Sequence, residues 1–231
     1  MNAPLAGKVA LVTGAGKNIG RAIALRLAAD GAAIHHNGRA MAYRADITKP
    51  EEVAAMAAAV AAQFGGVDIL VTNAGLRRQT SFLDMSFAEW REILSVALDG
   101  AFIITQAFAQ QMIARGGGSI IGLSGISTHV GTPNRAHVSA SKSGLEGLMR
   151  ALAVELAPKG IRANCVAPGA VDTVRGASAG SMPSTLADGG IPMRRRASVA
   201  EIADVVRMLA GPEGGYITGQ TIHVNGGAFL T

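Results

Sequence analysis

Short apolar runs alternate with longer helical stretches along most of this 231-residue chain. That alternation constrains the fold more than any other feature. Strand-length runs lie at 9–13, 33–36, 67–72, 119–123, 161–166 and 221–224. Helical patterns fill about 19–29, 48–64, 86–115, 136–157 and 198–210. Three of them open on a Ser/Thr-x-x-Glu box: Thr48 with Glu51, Ser86 with Glu89, and Ser198 with Glu201. In such a box the hydroxyl takes an amide of the first turn and the glutamate reaches back. Glycines and prolines close the helices at Gly31, Gly116-Gly117-Gly118 and Pro158 with Gly160. Strands separated by helices pair side by side in parallel, with helices covering both faces. The expectation is one α/β domain over residues 1–231, a three-layer, doubly wound parallel sheet of six strands.

The length suits a single domain with a full core. Hydrophobic residues make up 49% and charged residues 16%, which excludes a disordered chain. One cysteine, Cys165, rules out an internal disulfide and fits a reducing compartment. The first eight residues show no charged-then-apolar signal pattern, and no apolar run of about 20 residues is evident. A cytoplasmic, soluble protein with no membrane partner is expected. The formal net charge is +5, but the basic residues are scattered, apart from Arg77-Arg78 and Arg194-Arg195-Arg196. No stacking aromatics or nucleic-acid motif accompany them, so no nucleic-acid partner is expected. No metal site is expected either.

Between the first run and the first helix lies Thr13-Gly14-Ala15-Gly16-Lys17-Asn18-Ile19-Gly20. Glycines there permit a tight turn and close backbone approach to a pyrophosphate, which the helix N-terminus attracts. Asn73-Ala74-Gly75 closes another strand. Pro168-Gly169-Ala170-Val171-Asp172-Thr173 follows a late one, and Ile217-Thr218-Gly219-Gln220 precedes the last. In this order the elements resemble the short-chain dehydrogenase/reductase family, over nearly the whole chain. The resemblance implies a Rossmann-like fold, a nicotinamide dinucleotide cofactor, and a homodimer or homotetramer built on the two long helices. It places the pyrophosphate over Thr13, Gly14, Gly16, Lys17, Asn18, Ile19 and Gly20. Asn18 stands at the loop's second glycine, which requires either negative φ or a left-handed geometry that asparagine tolerates. The resemblance also implies that Asn73, with Ala74 and Gly75, steadies the central strands, and that Asp46 meets the adenine. It assigns Thr173, after Pro168 and Gly169, to the nicotinamide amide, and Lys142 to the nicotinamide ribose. Lys17 and Arg39 are basic, and no acid ends the second strand to bind a ribose hydroxyl. A guanidinium suits a 2′-phosphate, so NADP is expected over NAD.

The family's Asn, Ser, Tyr and Lys tetrad reads differently here. Val96-Ala97-Leu98 puts Ala97 at the asparagine, Gly125 stands at the serine, and Val138 at the tyrosine; only Lys142 matches. Valine cannot transfer a proton. Ser124 and Ser127 flank the missing serine, His137 and Ser139 the missing tyrosine. His129, in the neighbouring loop, is the better proton-transfer candidate by its titration range. The catalytic candidates are therefore Lys142, His129 and Ser124. Only Asn37 to Ala45 separate the second strand from Asp46, too few for the usual helix and third strand. These departures lead to the expectation of a scaffold not competent for ordinary hydride transfer. Two alternatives stand beside it: a non-redox lyase, hydratase or isomerase on this fold, and an NADP-dependent oxidoreductase with relocated acid-base groups. Nothing in the sequence names the small-molecule substrate.

Overall fold

The computed structural model describes residues 3–32, 41–174 and 190–231. Five parallel strands form one sheet in sequence order: β1 (Ala10–Val12), β2 (Ile69–Thr72), β3 (Gly118–Leu123), β4 (Ile161–Pro168) and β5 (Thr221–Val224). The expected strand at 33–36, and Arg39 after it, lie outside the described residues.

Seven α-helices accompany the strands among the described residues. They are α1 (Asn18–Ala29), α2 (Pro50–Phe64), α3 (Phe87–Leu94), α4 (Gly100–Ala114), the short α5 (Ser127–Val130), α6 (Ala136–Leu156) and α7 (Val199–Ala210). A π-helical turn, Ser95–Asp99, joins α3 to α4. On one face of the sheet α2, α4 and α6 enclose a core with Val53, Ile104, Phe108, Met112 and Met149. On the other, α1 and α7 contribute Ile23, Leu27, Ile202 and Val206. Strands buried on both faces carry near-continuous apolar sequence, and β2, Ile-Leu-Val-Thr, is buried throughout. Cys165 lies in β4 with its thiol pushed up to about 12, chiefly by burial.

Two of the three expected caps form. Ser86 accepts from Glu89 N, and Ser198 and Glu201 make the full reciprocal box. The third does not. Pro50 sets the start of α2, because its fixed φ suits a first helical position. Thr48 instead donates its amide and hydroxyl to Asp46, while Glu52 takes the Asp46 amide. The expectation of no membrane-length apolar run is also corrected. The continuous helix Phe87–Ala114 is long and apolar enough, by length and composition, to cross a bilayer. Its Ile93, Ala97, Ile104, Phe108 and Met112 are nevertheless buried in the core, where a helix covered on several sides needs little polar surface.

Gly20 shows how closely the first turn of α1 meets the sheet. A Cβ there would lie 2.4 Å from Gly14 O and 2.5 Å from Asn73 Nδ2. Gly16 has nothing within 4 Å of the same position. Gly20→Ala is expected to cost about 1–3 kcal/mol in denaturant unfolding, and Gly16→Ala less than about 1 kcal/mol. Equal effects would remove the packing argument.

Candidate functional site

A cavity of about 510 Å³ opens at the carboxyl ends of the strands. Its first wall is the loop after β1. Gly14 has φ +64, a left-handed conformation that glycine adopts without cost. Asn18 has φ +49, so the left-handed alternative holds. Its side chain takes both sides of an amide-like pair with Val174, donating to Val174 O at 2.9 Å and accepting from Val174 N at 3.0 Å. Lys17, at the N-cap of α1, brings no side-chain hydrogen bond to the first turn. The amides at the start of α1 therefore face the cavity wall formed by Gly14, Lys17, Asn18, Ile19 and Gly20. This cradle, too narrow for a Cβ at Gly20 and rich in uncapped amides, fits a dinucleotide pyrophosphate.

The floor is made by the junction of β1 and β2. Thr13 Oγ1 accepts from Asn73 N at 2.9 Å and from Ala74 N at 3.0 Å. Asn73 Nδ2 donates to Thr13 O and Gly14 O, at 2.9 and 3.2 Å. Asn73, Ala74 and Gly75 line the cavity, as do Pro168, Gly169 and Thr173 from the far side. Thr13 supports the lining from behind; neither it nor Gly16 is part of it. Asp46 is exposed, does not line the cavity and is occupied by Thr48, whose hydrogen bonds hold its carboxyl below the usual range. The structure therefore does not bring Asp46 to the site.

Lys142 reaches the cavity from α6 and donates Nζ to Leu123 O at 2.5 Å. Gly75 faces it closely: a Cβ there would stand 3.5 Å from Nζ and 3.9 Å from the Ala97 methyl. Burial, then the charge of Arg77, lowers the ammonium from the usual lysine value to about 8. Val138 lines the cavity one helical turn earlier on α6. Val96, from the π-helical turn, lines it beside them.

Ser124 also lines the cavity, but its hydroxyl donates to Glu146 Oε1 at 2.5 Å. Its one proton is committed there, so Ser124 meets a ligand as an acceptor. The same carboxylate oxygen takes Thr128 Oγ1 at 3.3 Å and His129 Nε2 at 3.1 Å. His129 does not line the cavity. It packs edge-on against His223 at 4.5 Å and stacks on Phe229 at 5.2 Å. Burial and His129 lower the pKa of His223. His129, the proton-transfer candidate from the sequence, is thus engaged with Glu146 and is not among the residues that line the cavity. His137 is fully buried against Glu89 at 3.1 Å, and Ser139 faces Ser127 O at 3.4 Å. Sequence reading missed Glu146, Arg77 and Arg135. An acid four residues after Lys142 is a helical-face neighbour, and that spacing was the available signal for Glu146.

Comparison with known proteins matches this architecture. A family model described as enoyl-(acyl carrier protein) reductase covers residues 14–228. A 3-oxoacyl-[acyl-carrier-protein] reductase, FabG, of Vibrio cholerae is 36% identical, over 98% of this chain and 99% of its own. Its counterpart in Staphylococcus aureus Mu50 is 37% identical, over 96% and 98%. Nodulation protein G of a Rhizobium species is 37% identical, over 96% and 97%. The crystal structure of a proposed short-chain alcohol dehydrogenase of Sinorhizobium meliloti 1021 superposes with TM-score 0.87 at 34% identity, over 99% of this chain and 98% of that one. Near-full-length relatives named as reductases overturn the expectation of a scaffold without hydride-transfer competence. The cavity keeps the family's nucleotide cradle and its lysine, and a nucleotide cofactor follows from that kinship. The chain belongs to the short-chain dehydrogenase/reductase family.

Proposed function

We propose that this protein is an NADPH-dependent carbonyl reductase in which Lys142 supplies the proton. One observation carries the reading: Lys142 lines the same cavity as the uncapped first turn of α1, with an ammonium poised near 8. A general acid works best when its pKa lies near the operating pH. A nicotinamide dinucleotide held over Gly14, Lys17, Asn18, Ile19 and Gly20 would supply a hydride to the carbonyl carbon. The carbonyl π pair moves onto oxygen, and that oxygen takes a proton from Lys142 Nζ. Neutral Lys142, still held at Leu123 O, is recharged from water. Ser124 accepts the hydrogen of the product hydroxyl, backed by Glu146. Val138 contributes bulk and apolar surface to the substrate end.

NADP is favoured over NAD by Lys17 in the cavity wall and, from sequence position, by Arg39. The substrate is a small molecule. A homo-oligomer through α4 and α6 is supported by apolar side chains that both helices leave outside the core. Phe102 is half exposed and Val154 more so. A cytoplasmic setting accords with the single buried thiol.

Lys142 carries its proton below about pH 8 and loses it above. Steady-state reduction is therefore expected to fall as pH rises through about 8, while oxidation of an alcohol rises. Lys142→Met should lose roughly 10²- to 10⁴-fold in kcat and flatten that profile. An unchanged profile would remove Lys142 as the acid. Arg39→Ala should weaken NADP binding more than NAD binding in calorimetry, and equal losses would exclude a 2′-phosphate contact. Light scattering at micromolar concentration should show a dimer or tetramer, and a monomer would defeat the α4–α6 interface.

A further inference from the structure

Lys142 differs from every other lysine of the chain. The sequence has five: Lys8, Lys17, Lys49, Lys142 and Lys159. Four are exposed, whereas Lys142 is partly buried and lines the cavity of about 510 Å³. Among the described residues its hydrogen-bond partner is the Leu123 carbonyl, at 2.5 Å, and no carboxylate pairs with it. No Asp or Glu stands among the described lining residues either. A carboxylate would hold the group as an ammonium, but a carbonyl also accepts from a neutral amine.

The surroundings of Nζ suit an amine that reacts. Gly75 and Ala97, its neighbours on the β2 side, are small. Val138, one turn earlier on α6, lines the cavity with an apolar side chain. When a neutral amine gives one N–H to Leu123 O, its lone pair points away from that carbonyl. Burial, then the charge of Arg77 on the loop after β2, lowers the ammonium to about 8, while the Cys165 thiol in β4 acts the other way. Lys17 and Arg135 are the other charged groups of the wall. Desolvation and a neighbouring cation are two ways a protein makes a lysine nucleophilic. At about pH 7.5 the neutral form is then roughly 100-fold more abundant at Lys142 than at an ordinary lysine.

We propose that Lys142 is also a nucleophile, which condenses with small neutral aldehydes and ketones in the dinucleotide-free cavity to form an imine. The amine lone pair makes the C–N bond, and the carbonyl π pair moves onto oxygen. Both amine hydrogens pass to that oxygen, the C–O bond breaks, and the oxygen leaves as water. The nitrogen lone pair closes the C=N bond. No oxidant, reductant or further reactant is required. The activity stands apart from hydride transfer, because it uses the neutral lysine where reduction uses the charged one.

Butanone with sodium cyanoborohydride tests it, because this hydride fixes an imine as a stable secondary amine. The wild-type protein, free of NADPH, is treated at about pH 7.5, and peptide mass spectrometry locates each sec-butyl group. Lys142 is expected to be modified at least about 10-fold faster than any of the four exposed lysines, less than the ratio of neutral forms because a less basic amine attacks more slowly. Mapping on the wild-type chain needs no variant to fold. Pentane-2,4-dione gives a second readout, since it condenses with a neutral amine to an enaminone that absorbs in the ultraviolet. Its rate of appearance should rise with pH and level off above about 8, and Lys142→Arg should remove this component. Adducts spread evenly over the lysines, none on Lys142, or an enaminone rate that climbs without levelling would each overturn the proposal. NADPH-dependent reduction of a set of small ketones is measured on the same preparation. A Lys142 adduct without turnover supports the nucleophile and removes the reductase reading. Turnover without an adduct keeps the acid and overturns the nucleophile.

Discussion

The hydroxyl of Thr13 is the interaction on which the site depends. It accepts two successive amides, from Asn73 and Ala74, while the Asn73 side chain returns hydrogen bonds to the carbonyls of Thr13 and Gly14. Two neighbouring parallel strands are thereby locked together at the point where both stop pairing. The backbone polar groups that a strand end leaves over find partners there, as buried groups must. Everything above the junction inherits its position. Gly20 packs against Gly14 O and Asn73 with no room for a Cβ, Gly75 follows directly from Ala74, and Lys142 lies against Gly75. Loss of the Thr13 hydroxyl would leave two amides without their acceptor and loosen the glycine-rich loop and the setting of Lys142 together.

A second network, centred on Glu146, does for the opposite wall what Thr13 does for the floor. One carboxylate oxygen collects Ser124, just after β3, and Thr128 and His129 from α5. A buried carboxylate with several donors is stable where a lone one would be costly. It fixes the hydrogen-bonding sense of Ser124, and so whether the cavity offers a donor or an acceptor there.

Much of this was legible in the chain because it is local. The alternation of strands and helices, the loop at 13–20, and the caps at Ser86 and Ser198 depend on residues a few positions apart. Asn18 was readable as far as its left-handed backbone, but its pairing with Val174, 156 residues away, was not. Thr48 misled because a Ser/Thr-x-x-Glu pattern says nothing of a proline that fixes the first helical φ or of an aspartate two residues back. The apolar helix Phe87–Ala114 escaped because polar residues interrupt it in sequence while the core covers its apolar face. The inference from missing tetrad residues to missing activity failed for a different reason. It ranked relocated acid-base groups last, because the lowering of the Lys142 pKa by burial and Arg77 cannot be read from the chain. Such tuning is a property of three-dimensional neighbours.

Cys165 carries one more consequence. It is the chain's only thiol, held in β4 between β3 and β5, with its pKa at about 12. The reactive form of a cysteine is the thiolate, and in the closed sheet almost none exists at neutral pH. An alkylating reagent must wait for the middle of the sheet to part, so its rate of incorporation counts openings of the whole molecule and ignores fraying at the surface. The protein thus carries an internal clock for its own unfolding, one that needs no introduced label and stays silent while the sheet is intact.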